Sequence, residues 1–161
     1  MRKVLPHIIG LCIALWLGGL VMLFIALMSV FAYNRGIGAQ VGPVLFGMFE
    51  PYQLCLAGIA IAGTILWRIY GCSKTRMIMM ACLLTSAGIA VISFSWVTPQ
   101  IIDLWQNPTE DSAARFQQLH LTSRYLYTTM AILVAMAGGA LIRSLQVDVD
   151  GACKIRPDKP E

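Results

Sequence analysis

The stretch VLPHIIGLCIALWLGGLVMLFIALMSVFAY, Val4 to Tyr33, contains no Asp, Glu, Lys or Arg. A helix of that length rises about 1.5 Å per residue and more than covers a hydrocarbon core of about 30 Å, even when tilted. Three further uncharged runs follow, Pro51 to Trp67, Met77 to Ile102 and Tyr125 to Ile142, each closed by charged or helix-breaking residues. The spacing predicts an all-α integral membrane four-helix bundle with spans at about 4–33, 51–70, 77–99 and 120–142. A polar cytoplasmic tail, 144–161, is expected to be disordered.

Composition points the same way. Of the 161 residues, 58% are hydrophobic and 12% are charged, against about a quarter charged in an ordinary water-soluble domain. Mean hydropathy is +0.71. Four spans leave only short connections, which argues against a separate soluble catalytic domain. The net charge of +4 carries no basic stripe interleaved with aromatics, so nucleic acid is not an expected partner.

Basic residues set the expected orientation. Arg2, Lys3, Arg68, Lys74, Arg76, Arg143, Lys154, Arg156 and Lys159 fall on the side of the termini, and Arg35, Arg115 and Arg124 on the other. By the positive-inside rule both termini are cytoplasmic. The expected location is a bacterial inner (plasma) membrane, with the first span retained as an anchor because its apolar run exceeds that of a secretory signal. Cysteines avoid both external segments, so structural disulfides are not expected.

Helix association in lipid relies on close approach at small residues. Gly10, Ala14 and Gly18, Gly58 and Ala62, and Ala131, Ala135 and Gly139 recur at four-residue spacing and are expected to form the seams; homodimerisation is the alternative use of such ridges. Trp67 and Trp105 fit interfacial belts, and Trp16 and Trp96 fit packing positions.

The external connection is the richest in polar chemistry. Asn107-Pro108-Thr109-Glu110 reads as a helix start with a capping residue, a proline and a carboxylate three residues after the cap. Beyond it, Phe116, His120, Arg124 and Tyr127 recur at four, four and three residues, which places them on one face descending into the bilayer. A charge entering a span costs on the order of 2.5–3.5 kcal/mol at mid-membrane, so Arg124 is expected to face protein and to pair with Glu50 or Asp103. The result would be a shallow polar ligand pocket at the external end. The plain alternative is an arginine that snorkels to the interface.

Two metal-centred readings remain. His7 and His120 lie at opposite ends of the bundle, so one haem cannot use both, and a haem-binding redox protein would need methionine or cysteine as a further ligand. Cys72, Met77, Met80 and Cys82 are soft donors suited to copper(I)-like metals, although methionine more often serves as flexible packing. No cofactor is expected as the main reading. No nucleophilic triad, paired carboxylates or phosphate loop is legible, so the chain is not expected to be an enzyme.

Trp16-Leu17-Gly18-Gly19, Val44-Leu45-Phe46-Gly47-Met48-Phe49, Pro99 and Phe116-Gln117-Gln118-Leu119-His120-Leu121-Thr122-Ser123 resemble, in that order, the four-span domain shared by transmembrane protein 205-like proteins. In bacteria that domain is generally described as one of unknown function. The resemblance covers most of Leu11 to Leu141, and its pattern of an aromatic residue, Leu-His and Ser falls on Phe116, Leu119, His120 and Ser123. It implies a small helical membrane domain distinguished by an external histidine face, and supplies no reaction. The expectation is a small-ligand-binding, transport-associated or metal-tolerance module. The alternatives are an accessory subunit of a larger membrane complex and the haem protein. Lipid, other membrane subunits or a homo-oligomer are the expected partners. The segment Gly36 to Phe49 is expected either to lie at the interface, separated by the Glu50-Pro51 step, or to join the second helix.

Overall fold

The computed structural model describes residues 4–69, 73–107 and 112–154. It is all-α: α1 (Leu5–Tyr33), α2 (Arg35–Ile69), α3 (Lys74–Ile92), a π-helical turn (Ser93–Val97), α4 (Thr98–Gln106) and α5 (Ser112–Lys154). The turn joins α3 and α4 into one rod, so four rods result. All four contain stretches long and apolar enough to cross a membrane: Leu5–Tyr33, Gly36–Ile69, Lys74–Leu104 and Ala114–Val147.

The rods form a closed ring in which α1 packs on α2, α2 on α3, α3 on α5 and α5 back on α1. Each helix buries one face toward the centre. Ile9, Cys12, Ile13, Trp16 and Leu20 of α1 meet Leu56, Ala57, Ala60 and Trp67 of α2, Met79, Leu83 and Ala90 of α3, and Met130, Val134, Ala137 and Leu141 of α5.

Asn34 makes the reversal between α1 and α2 almost without a loop. Its extended backbone ends α1 with an N–H bond to Val30, and its Oδ1 accepts from the amides of Gly36 (2.8 Å) and Ile37 (3.3 Å). One residue thus closes one helix and caps the next. The hairpin is tight enough that a methyl at Gly38 would meet the Phe31 ring at 2.7 Å.

The second helix differs from expectation. It runs unbroken through Pro43 and Pro51, so Gly36 to Phe49 belongs to it and Glu50 lies within a helix, not at its head. Each proline removes one intrahelical bond; α1 packs along this segment, with Leu27 beside Gly42, Phe31 beside Gly38 and Gly19 beside Phe49 and Tyr52.

The third rod also runs past its expected end at residue 99. Pro99 lacks the N–H that would bond Ser95, and its ring would press on that carbonyl. The π-turn immediately before it widens the helix by one residue, with the Thr98 N–H bonding Ser93 instead, which relieves the clash. Asn107 closes α4 through a bond to Asp103; residues 108–110 of the expected capping motif lie outside the described residues, which resume within α5 at Ser112. At the other end α5 continues to Lys154, so the first part of the expected disordered tail is helical, with Ser144 buried and bonded to Arg76 at 3.2 Å.

The small-residue ridges form the seams only in part: Gly10 packs against Leu141 and Ala131 is half-buried against the core. Ala14, Gly18, Gly58, Ala62, Ala135 and Gly139 all face outward. Close approach occurs one position away: a methyl at Gly19 would come within 2.7 Å of the Phe49 ring, and one at Gly63 within 3.0 Å of Ile9. Two tryptophans exchange their expected roles. Trp67 is buried beneath the Arg76 guanidinium, 4.2 Å from its ring centroid, and Trp96 is 62% exposed. Trp16 is fully buried.

Candidate functional site

Glu50 is the centre of the polar interior. Its residue is 1% exposed, and its Oε1 accepts from the Thr98 hydroxyl of α4 at 2.5 Å and from the Tyr127 hydroxyl of α5 at 3.1 Å. Phe46, one turn before Glu50, packs its ring against Tyr127 with centroids 5.2 Å apart. Three rods therefore converge on one carboxyl.

The π-turn explains how Thr98 reaches it. In an unbroken α-helix residues five apart are about 140° apart around the axis, so Ser93 and Thr98 could not both face the bundle centre. The extra residue in the turn brings them round: Ser93 is buried and Thr98 bonds Glu50.

Below Glu50 lies a set of buried polar atoms without hydrogen-bond partners: Trp16 Nε1, both amide atoms of Gln53, and the hydroxyls of Ser86 and Ser93. Gln53 lies beside the Tyr127 hydroxyl, but neither of its amide atoms completes a hydrogen bond within the protein. Each such group costs about 1–3 kcal/mol if nothing satisfies it. By contrast Thr64, also buried, donates to its own helix at Ala60 and is satisfied locally.

The structure brings together some of the expected site residues and separates others. Glu50 and Tyr127 join directly. Phe116 and His120 stack, with ring centroids 6.1 Å apart and planes 7° from parallel, but His120 is exposed. Arg124 is exposed and pairs with neither expected carboxylate: Glu50 is held by Thr98 and Tyr127, and Asp103 is exposed and accepts from Asn107 at 2.9 Å. The physical reason is helical drift. Steps of four residues advance about 40° beyond a full turn, so Phe116, His120 and Arg124 rotate progressively away from the face that Ser123, Tyr127 and Met130 bury; the final step of three brings Tyr127 back inward.

Of the soft-donor group, the described members do not share one exposure. Met77 faces outward while Met80 and Cys82 are buried, because steps of three and two residues turn the donors to different sides. Cys72 lies outside the described residues. Among the described residues no three His, Cys, Asp or Glu side chains are grouped to hold a metal. His7 and His120 remain near opposite ends: Ile13 lies against Gly138 and Gly10 against Leu141, a register that sets His7 level with about residue 144 of α5, about 36 Å along the axis from His120.

Sequence reasoning missed Thr98, Gln53, Trp16 and Ser93. Gln53 carried a usable signal, since it stands three residues after Glu50 on the same helix face. Thr98 carried none, because its approach depends on the π-turn.

No family model, curated protein or solved structure matches the chain.

Proposed function

We propose that this chain is a non-enzymatic integral membrane protein, a binding or transport-associated module whose working group is the Glu50 carboxyl exchanging a proton or a small cation. The observation that carries this reading is a carboxyl buried at the meeting point of three helical rods, held by two hydroxyls and, among the described residues, by no basic side chain. Such a group in a hydrocarbon-embedded bundle is costly as a bare anion and is retained where it is used. The apolar length of the four rods supports membrane embedding, as does the resemblance to transmembrane protein 205-like domains. The distribution of Lys and Arg supports cytoplasmic termini in a bacterial inner membrane. In that orientation Glu50, 17 residues from Trp67, stands about 25 Å from the cytoplasmic edge and so in the external half of the core.

Modification with an apolar carbodiimide, to whose central carbon protonated carboxyls in apolar surroundings add, tests the reading. Intact-mass and peptide analysis of the protein purified in mild detergent should place the adduct on Glu50, with Glu50→Gln unmodified. Titration of proton release should differ between the two proteins. An unmodified Glu50 together with coincident titration curves overturns the proposal.

A further inference from the structure

Three of the residues with unpartnered buried polar atoms, Trp16, Gln53 and Ser93, lie at one level, just beneath Glu50. Two independent registers show this. Between α1 and α2, Gly19 abuts Phe49 and Tyr52 while Gly63 abuts Ile9, so Trp16 stands opposite about residue 54 of α2. Between α2 and the third rod, Glu50 bonds Thr98 and Trp67 underlies Arg76, so Ser93 also stands opposite about residue 54. Trp16, Gln53 and Ser93 thus converge from three rods within about one helical turn of the Glu50 carboxyl, with the Tyr127 hydroxyl of α5 beside Gln53.

Their chemistry specifies the occupant. The indole Nε1 only donates, the amide donates and accepts, and a hydroxyl does both. None of these groups carries charge, and all three residues are at most 1% exposed. A small neutral partner that donates and accepts in several directions satisfies the set, and water is the smallest such molecule. Short side chains border the level on its inner side, Ala57, Ala60 and Ala90. Ser86, two turns below Ser93 on the same rod and likewise unpartnered, continues the polar line away from Glu50.

We infer that Trp16, Gln53 and Ser93 bind internal water between the rods, extending the Glu50 site into the bundle and giving the carboxyl a hydrated route for proton exchange. The exchange role rests on the function proposed above; the water site rests on the orphaned atoms alone. In that step the carboxyl O–H breaks and its proton passes to the adjacent bound water, which releases one of its own protons to the next water and returns to neutral, leaving a Glu50 carboxylate held by the Thr98 and Tyr127 hydroxyls; reprotonation is the reverse.

Radiolytic hydroxyl labelling of the full chain in detergent micelles reads this directly, because radicals form from bound water beside the residues they oxidise. Trp16 and Trp67 are internal references for each other: both are buried, but Trp67 is covered by a guanidinium and Trp16 faces the orphaned groups. Trp16 should be oxidised several-fold faster than Trp67 and than buried Met79. The double variant Gln53→Leu, Ser93→Ala should bring Trp16 down toward the Trp67 rate; if that variant does not fold, the contrast within the native chain decides. Equal protection of Trp16 and Trp67 overturns the water site even where carbodiimide labels Glu50. Fast oxidation of Trp16 with an unmodified Glu50 supports the water site while the exchange function fails.

Discussion

Tyr127 reaches Glu50 across the diagonal of the bundle. Its hydroxyl donates to Oε1 at 3.1 Å, although the backbones of α5 and α2 do not pack against one another. A side chain long enough to cross the interior therefore ties two helices that are not neighbours, and Thr98 brings the third rod to the same oxygen.

Removing these donors singly and together should expose their shared role. Tyr127→Phe and Thr98→Ala each lose one hydrogen bond, about 0.5–1.5 kcal/mol. With both gone the carboxyl is left without its hydroxyl donors, so the double variant should lose more than the sum of the two. Thermal unfolding in detergent measures all four corners of the cycle. Strict additivity would show that the two hydroxyls do not act on one group.

Arg124 should be nearly silent in stability. It is exposed, and the carboxylates expected to pair with it have other partners. Arg124→Ala should shift stability within about 0.5 kcal/mol, as surface substitutions do. Double-mutant cycles with Glu50 and with Asp103 should return no coupling. A measured coupling of about 1 kcal/mol or more with Glu50 would contradict the geometry of the site.

Gly19 tests the α1–α2 seam. Because a Cβ there would meet the Phe49 ring at 2.7 Å, Gly19→Ala should destabilise by about 1–3 kcal/mol through overpacking. Gly18→Ala, one residue along and with open space around it, should not. Shortening the ring with Phe49→Leu should recover part of the Gly19→Ala loss. Equal effects at the two glycines would mean that α1 is rotated from the position described.

What could be read in advance was what depends on composition and on one helix at a time. Four apolar rods, the pairing of Phe116 with His120 and the inward turn of Tyr127 follow from uncharged length and from 3.6-residue periodicity. Glu50 was legible as an ionisable residue beside an apolar run. Its partners were not: Thr98 arrives through a widened turn, and Arg124 is excluded by a drift of about 40° per four-residue step that spacing arguments tend to neglect. The small-residue ridges show the same limit. Gly58 and Ala62 do share a face, but spacing cannot say whether that face looks inward, and here Ala57 and Ala60 are the buried pair. The burial of Trp67 is invisible to spacing along α2 because its partner Arg76 lies on another helix.

That second polar centre supplies the last prediction. Arg76 is buried, its guanidinium lies over the Trp67 ring at 4.2 Å, and its Nε donates to the Ser144 hydroxyl at 3.2 Å. A planar guanidinium stacks and donates in a fixed direction in a way an ammonium cannot. Arg76→Lys, which keeps the charge, should therefore still lose about 1–3 kcal/mol, the combined worth of a desolvated cation–π contact and a hydrogen bond. A cycle with Trp67→Leu should show coupling of about 0.5–2 kcal/mol. Ser144→Ala should cost less, since only the hydrogen bond is lost. Glu50 lies 17 residues along α2 from Trp67, about 25 Å, so the effects of Arg76→Lys and Glu50→Gln should simply add. Full stability in Arg76→Lys would mean that the charge alone holds this end of the bundle together. Non-additivity with Glu50→Gln would instead show that the two polar centres communicate through the interior between them.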